Sequence, residues 1–498
     1  MAATGPANAD GTAAKSPGIT IIGAGFAGLC MAIKLKQAGY HDFVVLEKDS
    51  ELGGTWRDNT YPGCACDVPS PMYSFSFDLN PEWTRLFAPQ GEIWDYLRAC
   101  AEKYGLAPHL RLGTKVAALE YQDRERRWLV STEDGGTFTT NAVVAGMGGL
   151  HVPSVPEIPG RASFAGPAFH SARWDHSVDL TGKRVAVVGT GASSVQFIPQ
   201  IAPVVEKLSV FQRTAPWIQP KPDIPLTERT RRTLRRFPPA DRALRDGVYW
   251  LLETRALGFA VDPRLMKVHE AVARRHLASQ VPDPELRARL TPGYTIGCKR
   301  ILLASDYYPA LCRDNVELVT DRITEIRDHS VVDATGREHP VDVIIYGTGF
   351  KVAESLAQHP IIGRDGLKLQ DAWRDGIRAY LGTLTAGFPN LFMLLGPNTG
   401  LGHTSVVFMI EAQVRLVMSC LRLLSATRAR ALDVRPSAER AYNERLQRRL
   451  RRLVWSEGGC TSWYLDGKGI NRAIWPGFTF EFWARTRAVK PGDFELIG

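Results

Sequence analysis

Ile19-Thr20-Ile21-Ile22-Gly23-Ala24-Gly25-Phe26-Ala27-Gly28-Leu29 begins as a short apolar run and turns through three spaced glycines. A run of that length suits a buried parallel strand, and Leu29 to Gln37 continues as a helix. Strand, glycine turn and helix follow one another in the order a dinucleotide-binding fingerprint requires. Gly23 and Gly25, with Phe26 inside the loop, allow the tight turn and the close approach of a pyrophosphate. Gly28 lets helix and strand pack closely, and the phosphate charge falls on the helix N-terminus. Phe43-Val44-Val45-Leu46 reads as the next strand and ends in Glu47. A carboxylate there accepts hydrogen bonds from a ribose diol and repels a 2′-phosphate, so this first site suits FAD or NAD.

A second copy of the pattern lies further along. Arg184–Val188 is a strand, Gly189-Thr190-Gly191-Ala192-Ser193-Ser194 the loop, and Val195–Ile201 a helix. Ser194 replaces the third glycine, so the helix must pack against its strand around a small hydroxyl. The following strand, Leu208–Phe211, ends without an acid and runs into Gln212-Arg213-Thr214. Arg213 offers a planar, permanent cation to a 2′-phosphate. The two loops therefore differ in kind: Glu47 marks an FAD site and Arg213 an NADPH site. The expected fold is α/β, with two Rossmann-like doubly wound dinucleotide-binding domains and a cleft between them.

Between the two loops, Phe164-x-Gly166-x-x-x-His170-x-x-x-Trp174-Asp175 matches a family signature. The chain resembles the type I Baeyer–Villiger monooxygenases, class B flavoproteins that use FAD, NADPH and O2. The resemblance covers 18–485 and places further residues. Gly53-Gly54-Thr55-Trp56 resembles the segment against the flavin, Asp67 the active-site aspartate, and Tyr73 an FAD contact. Val116 falls where an adenine-contacting valine lies. Lys299 is implied to reach the NADPH 2′-phosphate and Arg300 to stand over the flavin, while His170 is tied to coenzyme handling and domain movement. Asn398 to Leu401 lie near the flavin, and Trp463 contacts the nicotinamide cofactor. His403 is read as structural. The segments 143–149 and 342–350 resemble the two linkers between domains.

Resemblance thus implies conversion of a ketone to an ester or lactone through a flavin C4a-peroxide, with Arg300, Asp67 and His170 as the catalytic set. The alternative is a flavin N- or S-oxygenase acting on soft nucleophiles, against which the Trp174-Asp175 ending argues. A disulfide reductase would need a redox cysteine pair, and Cys64-Ala65-Cys66 lacks the usual spacer. A non-catalytic nucleotide sensor would keep the fingerprints without needing Arg300.

Domain bounds follow from these landmarks: a disordered leader at 1–17, an FAD domain at 18–159 and 346–498, an NADP domain at 160–220 and 291–345, and a helical insertion at 221–290. The insertion carries 15 Lys and Arg against 9 Asp and Glu, most of the chain's formal +9. That charge reads as a solvated helical face, with steering of an anionic coenzyme as the second reading. Its apolar residues Leu251, Leu252, Leu257 and Phe259 are expected to pack. Nothing resembles a nucleic-acid reader or a metal site. The eight cysteines are scattered, and no apolar stretch is long enough to span a membrane. The expectation is a cytoplasmic protein with reduced thiols, a monomer or weak dimer, whose partners are a small ketone and O2.

Overall fold

The computed structural model describes residues 18–498 apart from 353–354 and 356–358, so the expected leader lies outside the described residues. Two five-stranded parallel sheets carry the architecture. One runs in the order 391–393, 142–145, 19–22, 43–46 and 110–111; the other 316–319, 207–211, 184–188, 343–346 and 168–170. Each fingerprint strand is central. From Ile19–Ile22 the chain first adds strands on one side and later returns to the other, which opens a crevice at the strand's C-terminal end. Arg184–Val188 repeats that arrangement in its own sheet. Ile19–Ile22 is buried throughout, as a parallel strand covered on both faces requires.

The Phe26–Gln37 and Ala192–Ile201 helices start directly from Gly25 and Gly191, a turn earlier than the apolar pattern suggested. Residues 387–403 read in sequence as a buried strand running into a glycine-rich loop and a helix, and that strand contracts. It is confined to Leu391–Met393, with a single bridge from Gly400 to Ile474, because Asn390, Leu395 and Asn398 all turn left-handed, with φ near +55°. The long apolar helix runs Val406–Thr427, and the Ser405 hydroxyl accepts from the Val407 amide at its start.

The glycine spacing has a measurable cause. A Cβ on Gly28 would sit 1.8 Å from the Gly23 carbonyl oxygen. In the second loop the crowded position is filled by Ser194, and the opposing chain supplies the room. A Cβ on Gly347 would lie 1.8 Å from Ser194 Oγ. Gly28→Ala pushes first against backbone, the Gly23 carbonyl, so it is expected to cost about 1–3 kcal/mol or more and to purify with less flavin per protein. Wild-type flavin content and an unchanged Tm would contradict the packing argument.

Residues 221–290 form the Glu228–Arg236, Pro238–Thr254, Met266–Gln280 and Pro284–Arg289 helices, with a π-helical turn at Leu257–Val261. Buried Arg245 fastens them to the rest by donating to the Pro71 and Ser74 carbonyls. Leu252 and Phe259 pack as expected. Leu251 and Leu257 do not: at 66% and 43% exposure they face outward, which corrects the reading of them as core. The reduced-thiol expectation is corrected too, because Cys298 and Cys460 form a disulfide across 162 residues. No short spacing could have announced that pairing.

Candidate active site

Asp67 and Arg300 meet as a two-pronged ion pair. Arg300 Nε donates to Asp67 Oδ2 and Nη2 to Oδ1, each at 2.7 Å, across 233 residues of sequence. Asp67 is held by its neighbours: the Cys66 amide donates to the Ala88 carbonyl and the Ser70 amide to Leu86. Arg300 leads into Leu302–Leu303, which pairs with Ile218–Gln219, while the disulfide at Cys298 anchors the chain just before it. Burial acts to raise the Asp67 pKa, but the Arg300 charge and hydrogen bonds outweigh it and hold the carboxyl below its usual range. The Asp67 charge in turn raises Arg300, so the guanidinium stays charged. Its Nη1 takes no part in the pair.

Around this pair lies a cavity. Val68, Ile301 and Leu303 line it from the sequence neighbours of the pair, and Leu252, Arg255, Phe259 and His269 reach in from the 221–290 helices. Gly402, His403 and Thr404 close another side. The insertion thus supplies cavity wall, which its composition left undecided. His403, read as structural, borders the same space; its Nε2 lies 3.4 Å from Glu253 Oε1, whose carboxylate accepts from the Thr479 amide and hydroxyl.

The nucleotide loops can be tested against the groups they would hold. Gly25 and Gly54 approach closely, since a Cβ on Gly54 would be 3.3 Å from the Gly25 Cα. Neither fingerprint helix has an acid in its first turn or a side-chain cap, so both N-termini present amides to an anion. Buried Glu47 accepts from the Ala24 amide at 2.7 Å and the Asp49 amide at 3.2 Å, which places a carboxylate at the first loop. Phe26, Trp56 and Tyr73 cluster beside it: Trp56 Nε1 donates to Tyr73 Oη at 3.1 Å, and the Phe26 and Tyr73 rings are 5.2 Å apart. Gly53 and Thr55 flank that cluster, Thr55 starting the short Thr55–Asp58 helix. These features fit the adenine dinucleotide of FAD.

On the other sheet, Gly189, Thr190 and Gly191 form the loop, and the Thr190 hydroxyl reaches the Thr214 carbonyl at 3.5 Å. Ser193 lies by the Tyr61 hydroxyl. Arg213 is exposed at the strand end, and Lys299 stands near enough to feel its charge. Desolvation first, then Arg213, lowers the Lys299 pKa. Two cations held together with no ion pair between them and any described carboxylate fit a 2′-phosphate dianion.

Other expected residues lie apart from the pair. Val116 is buried at the start of the Val116–Gln122 strand. Asn398 gives its side-chain amide hydrogens to the Asn471 and Ile474 carbonyls, each at 3.1 Å, and its backbone amide to the Arg472 carbonyl at 2.9 Å, leaving its side-chain oxygen and backbone carbonyl for a ligand. Trp463 is 55% exposed and packs its ring on Tyr464 rather than on the cavity. His170 ends the edge strand beside Tyr346, and its Nδ1 accepts from the Ala172 amide at 3.1 Å. Its Nε2 is buried without a hydrogen bond.

Burial pulls the His170 pKa down from 6.5 to about 4, so the folded ring is neutral. The unfolded chain takes up this proton first, so stability is lost as pH falls from 6.5 toward about 4. His151, His269, His276 and His359 are shifted in the same direction. His170→Asn keeps an acceptor for Ala172 and cannot titrate. It is expected to flatten part of the Tm decline across that window; an unchanged slope would count against the assignment.

Sequence reasoning missed Gln196. From the second fingerprint helix it accepts from Tyr61 Oη at 2.9 Å and donates to the Ala65 carbonyl at 2.9 Å, tying the Asp67 segment to the other sheet. A mid-helix glutamine carries no signal of such a reach. Cys64 and Cys66 are free, buried thiols raised by desolvation, Cys64 to about 11, which is the wrong state for a redox pair.

Comparison with known proteins extends this picture. The family model described as pyridine nucleotide-disulphide oxidoreductase matches residues 20–240. A Baeyer–Villiger monooxygenase of Pseudomonas aeruginosa is 51% identical over 485 residues, covering 97% of this chain and 92% of that protein. The crystal structure of cyclohexanone monooxygenase from Rhodococcus sp. Phi1 bound to NADP+ superposes with a TM-score of 0.87 at 29% identity, covering 97% of this chain and 100% of that one. That of OTEMO in complex with FAD and NADP gives 0.88 at 28% identity, with the same coverage.

Proposed function

We propose, for a chain that belongs to the Baeyer–Villiger monooxygenase family, that the Asp67–Arg300 pair is the polar centre at which oxygen is inserted beside a ketone carbonyl. The protein is an NADPH-dependent, FAD-containing monooxygenase of that type. Its reaction is ketone + O2 + NADPH + H+ giving ester or lactone + NADP+ + H2O. Membership of the family decides against the N- or S-oxygenase alternative. FAD supplies the redox chemistry when bound, taking hydride equivalents from NADPH and activating O2.

We assign FAD to Gly23–Gly28, Glu47, Gly53–Trp56, Tyr73, Val116 and Asn398. NADPH is assigned to Gly189–Gly191, Ser193, Ser194, Arg213, Thr214 and Lys299, with Trp463 and His170 serving coenzyme handling. Arg300 holds a permanent positive charge where negative charge develops on oxygen, and presents Nη1 to it. Asp67 orients the guanidinium through its two hydrogen bonds. Apolar wall from Val68, Leu252, Phe259, Ile301 and Leu303 limits water around the reacting carbonyl. The observation that carries this reading is the two-pronged pair set in the cavity wall.

No helix of the described residues is long and apolar enough to cross a membrane. We read the protein as cytoplasmic, a monomer or weak dimer without a nucleic-acid partner. The Cys298–Cys460 bond attaches a condition, since a reducing cytosol favours its open form. Holoenzyme incubated with NADPH, isotopically heavy O2 and a ketone panel is expected to yield esters carrying one heavy oxygen. NADPH consumption with hydrogen peroxide as the sole product would overturn the proposal.

A further inference from the structure

Arg255 stands where the Pro238–Thr254 helix ends and the π-helical turn begins, and its side chain lines the cavity that holds Asp67 and Arg300. Among the described residues its guanidinium makes no hydrogen bond and no ion pair. The acid it feels is Asp67, whose two oxygens are already committed to Arg300. His269, another ionisable group on the cavity wall, is kept toward its neutral form by burial and by Arg255 itself. Gln219, the adjacent amide, donates to the His269 carbonyl at 2.9 Å and offers Arg255 no charge. The cavity wall therefore carries two guanidinium groups against one carboxylate.

A bland account is available: a cation is favourable at a helix C-terminus. That account needs only a solvated side chain, and the same helix end could have kept Arg255 outside. Here burial lowers the Arg255 pKa, so its position is held against a desolvation cost. A neutral ketone leaves that excess charge unanswered, whereas a ligand with an acidic group neutralises it. A π-helical turn at the root of the side chain is also a frequent mark of a binding site.

We infer that Arg255 is a substrate-recognition residue and that the ketone this enzyme takes carries a carboxylate. The oxo acid would set its carbonyl at Arg300 and its carboxylate at Arg255, with Leu252 and Phe259 against the carbon chain between them. A planar guanidinium suits a two-pronged carboxylate contact. This inference rests on the oxygenation reading above, because it fixes which end of the substrate meets Arg300.

The test compares linear oxo acids, beginning with levulinate, each beside the carboxamide of equal length, on the FAD-loaded enzyme with NADPH. The wild type is expected to favour the acid by about tenfold or more in kcat/KM, chiefly through KM. In Arg255→Met the acid-to-amide ratio should fall by about ten- to a hundredfold. Arg255→Lys should restore part of it. Equal use of acid and amide by the wild type would overturn the inference while leaving the oxygenase reading intact. So would an Arg255→Met enzyme that loses acid and amide alike while its KM for NADPH rises, since Arg255 would then serve the coenzyme. If no ketone yields ester, the oxygenase reading fails, and calorimetry of levulinate on NADP+-loaded holoenzyme decides separately. Binding lost in Arg255→Met supports the inference; equal or absent binding in both proteins ends it. Should Arg255→Met not retain FAD, Arg255→Gln is read by the same criteria.

Discussion

Arg300→Ala is expected to retain FAD and to make no measurable ester, a loss of about a thousandfold or more. The charge it removes is fixed against Asp67 by two hydrogen bonds of 2.7 Å and faces the cavity. NADPH oxidation should persist in part, with hydrogen peroxide released in place of product. Arg300→Lys should recover little, because an ammonium cannot hold Asp67 by two parallel bonds and still present a third donor. A merely structural account is separable. Removing Arg300 leaves Asp67 partly buried without its cation, and breaking such a pair costs about 3–5 kcal/mol in fully buried cases, less here because both side chains keep some exposure. Wild-type Asp67, held below its ordinary value, lends stability that is complete above pH 3.8 and is lost as pH falls through the folded value. In Arg300→Ala the largest lowering influences are gone and burial is opposed only by the Asp67 backbone hydrogen bond and more distant cations such as Lys221, so that acid-side contribution should shrink. Adding Asp67→Asn removes the stranded charge and should recover Tm without recovering ester. If the double variant regains activity along with stability, Arg300 is scaffolding and the mechanism is wrong. Asp67→Asn alone should slow turnover by about tenfold, the smaller effect of losing the group that aims the cation.

What was legible in the chain follows from the range of each interaction. Ile19–Ile22 and Arg184–Val188 were readable to the residue because strand, turn and helix are written within a dozen positions. Glu47 and Arg213 were readable as opposites because each sits at a fixed place, the end of the strand after a fingerprint. Asp67 and Arg300 were nominated by resemblance, since 233 residues separate them and neither neighbourhood names the other. Gln196, Arg255 and the Cys298–Cys460 bond escaped altogether. Their partners are chosen by how two sheets and a helical insertion come together, and nothing local encodes that. The contraction of the 387–403 strand is a different failure: three left-handed residues, two of them asparagine, interrupted an apolar run that looked continuous. Leu251 and Leu257 mislead for a related reason. Neither an apolar residue on the Pro238–Thr254 helix nor one in the π-helical turn after it signals its face until the segment is docked.

Arg213→Ala is expected to raise the KM for NADPH about ten- to a hundredfold and to leave NADH almost unaffected, the loss of about 1.5–3 kcal/mol of charge-assisted hydrogen bonding to one phosphate. Lys299→Ala should act in the same direction, and the double variant should use the two coenzymes about equally. No acid ends the Lys207–Phe211 strand to repel a 2′-phosphate, and Arg213 and Lys299 repel each other until a dianion lies between them. Arg213 is exposed, so its share of the affinity should weaken as salt is raised, since screening acts within about 10 Å at moderate ionic strength. Lys299 adds a pH signature. Its pKa is lowered by desolvation and by Arg213, so NADPH affinity should begin to fall at a lower pH than an ordinary lysine would dictate. In Arg213→Ala the second of those causes is gone, and the fall should move to higher pH even though binding is weaker throughout. Steady-state KM values for both coenzymes across pH and salt would read all of this in one set of experiments. A wild-type enzyme that takes NADH as readily as NADPH, or an Arg213→Ala enzyme whose pH profile stays in place, would show that these two cations do not share a phosphate.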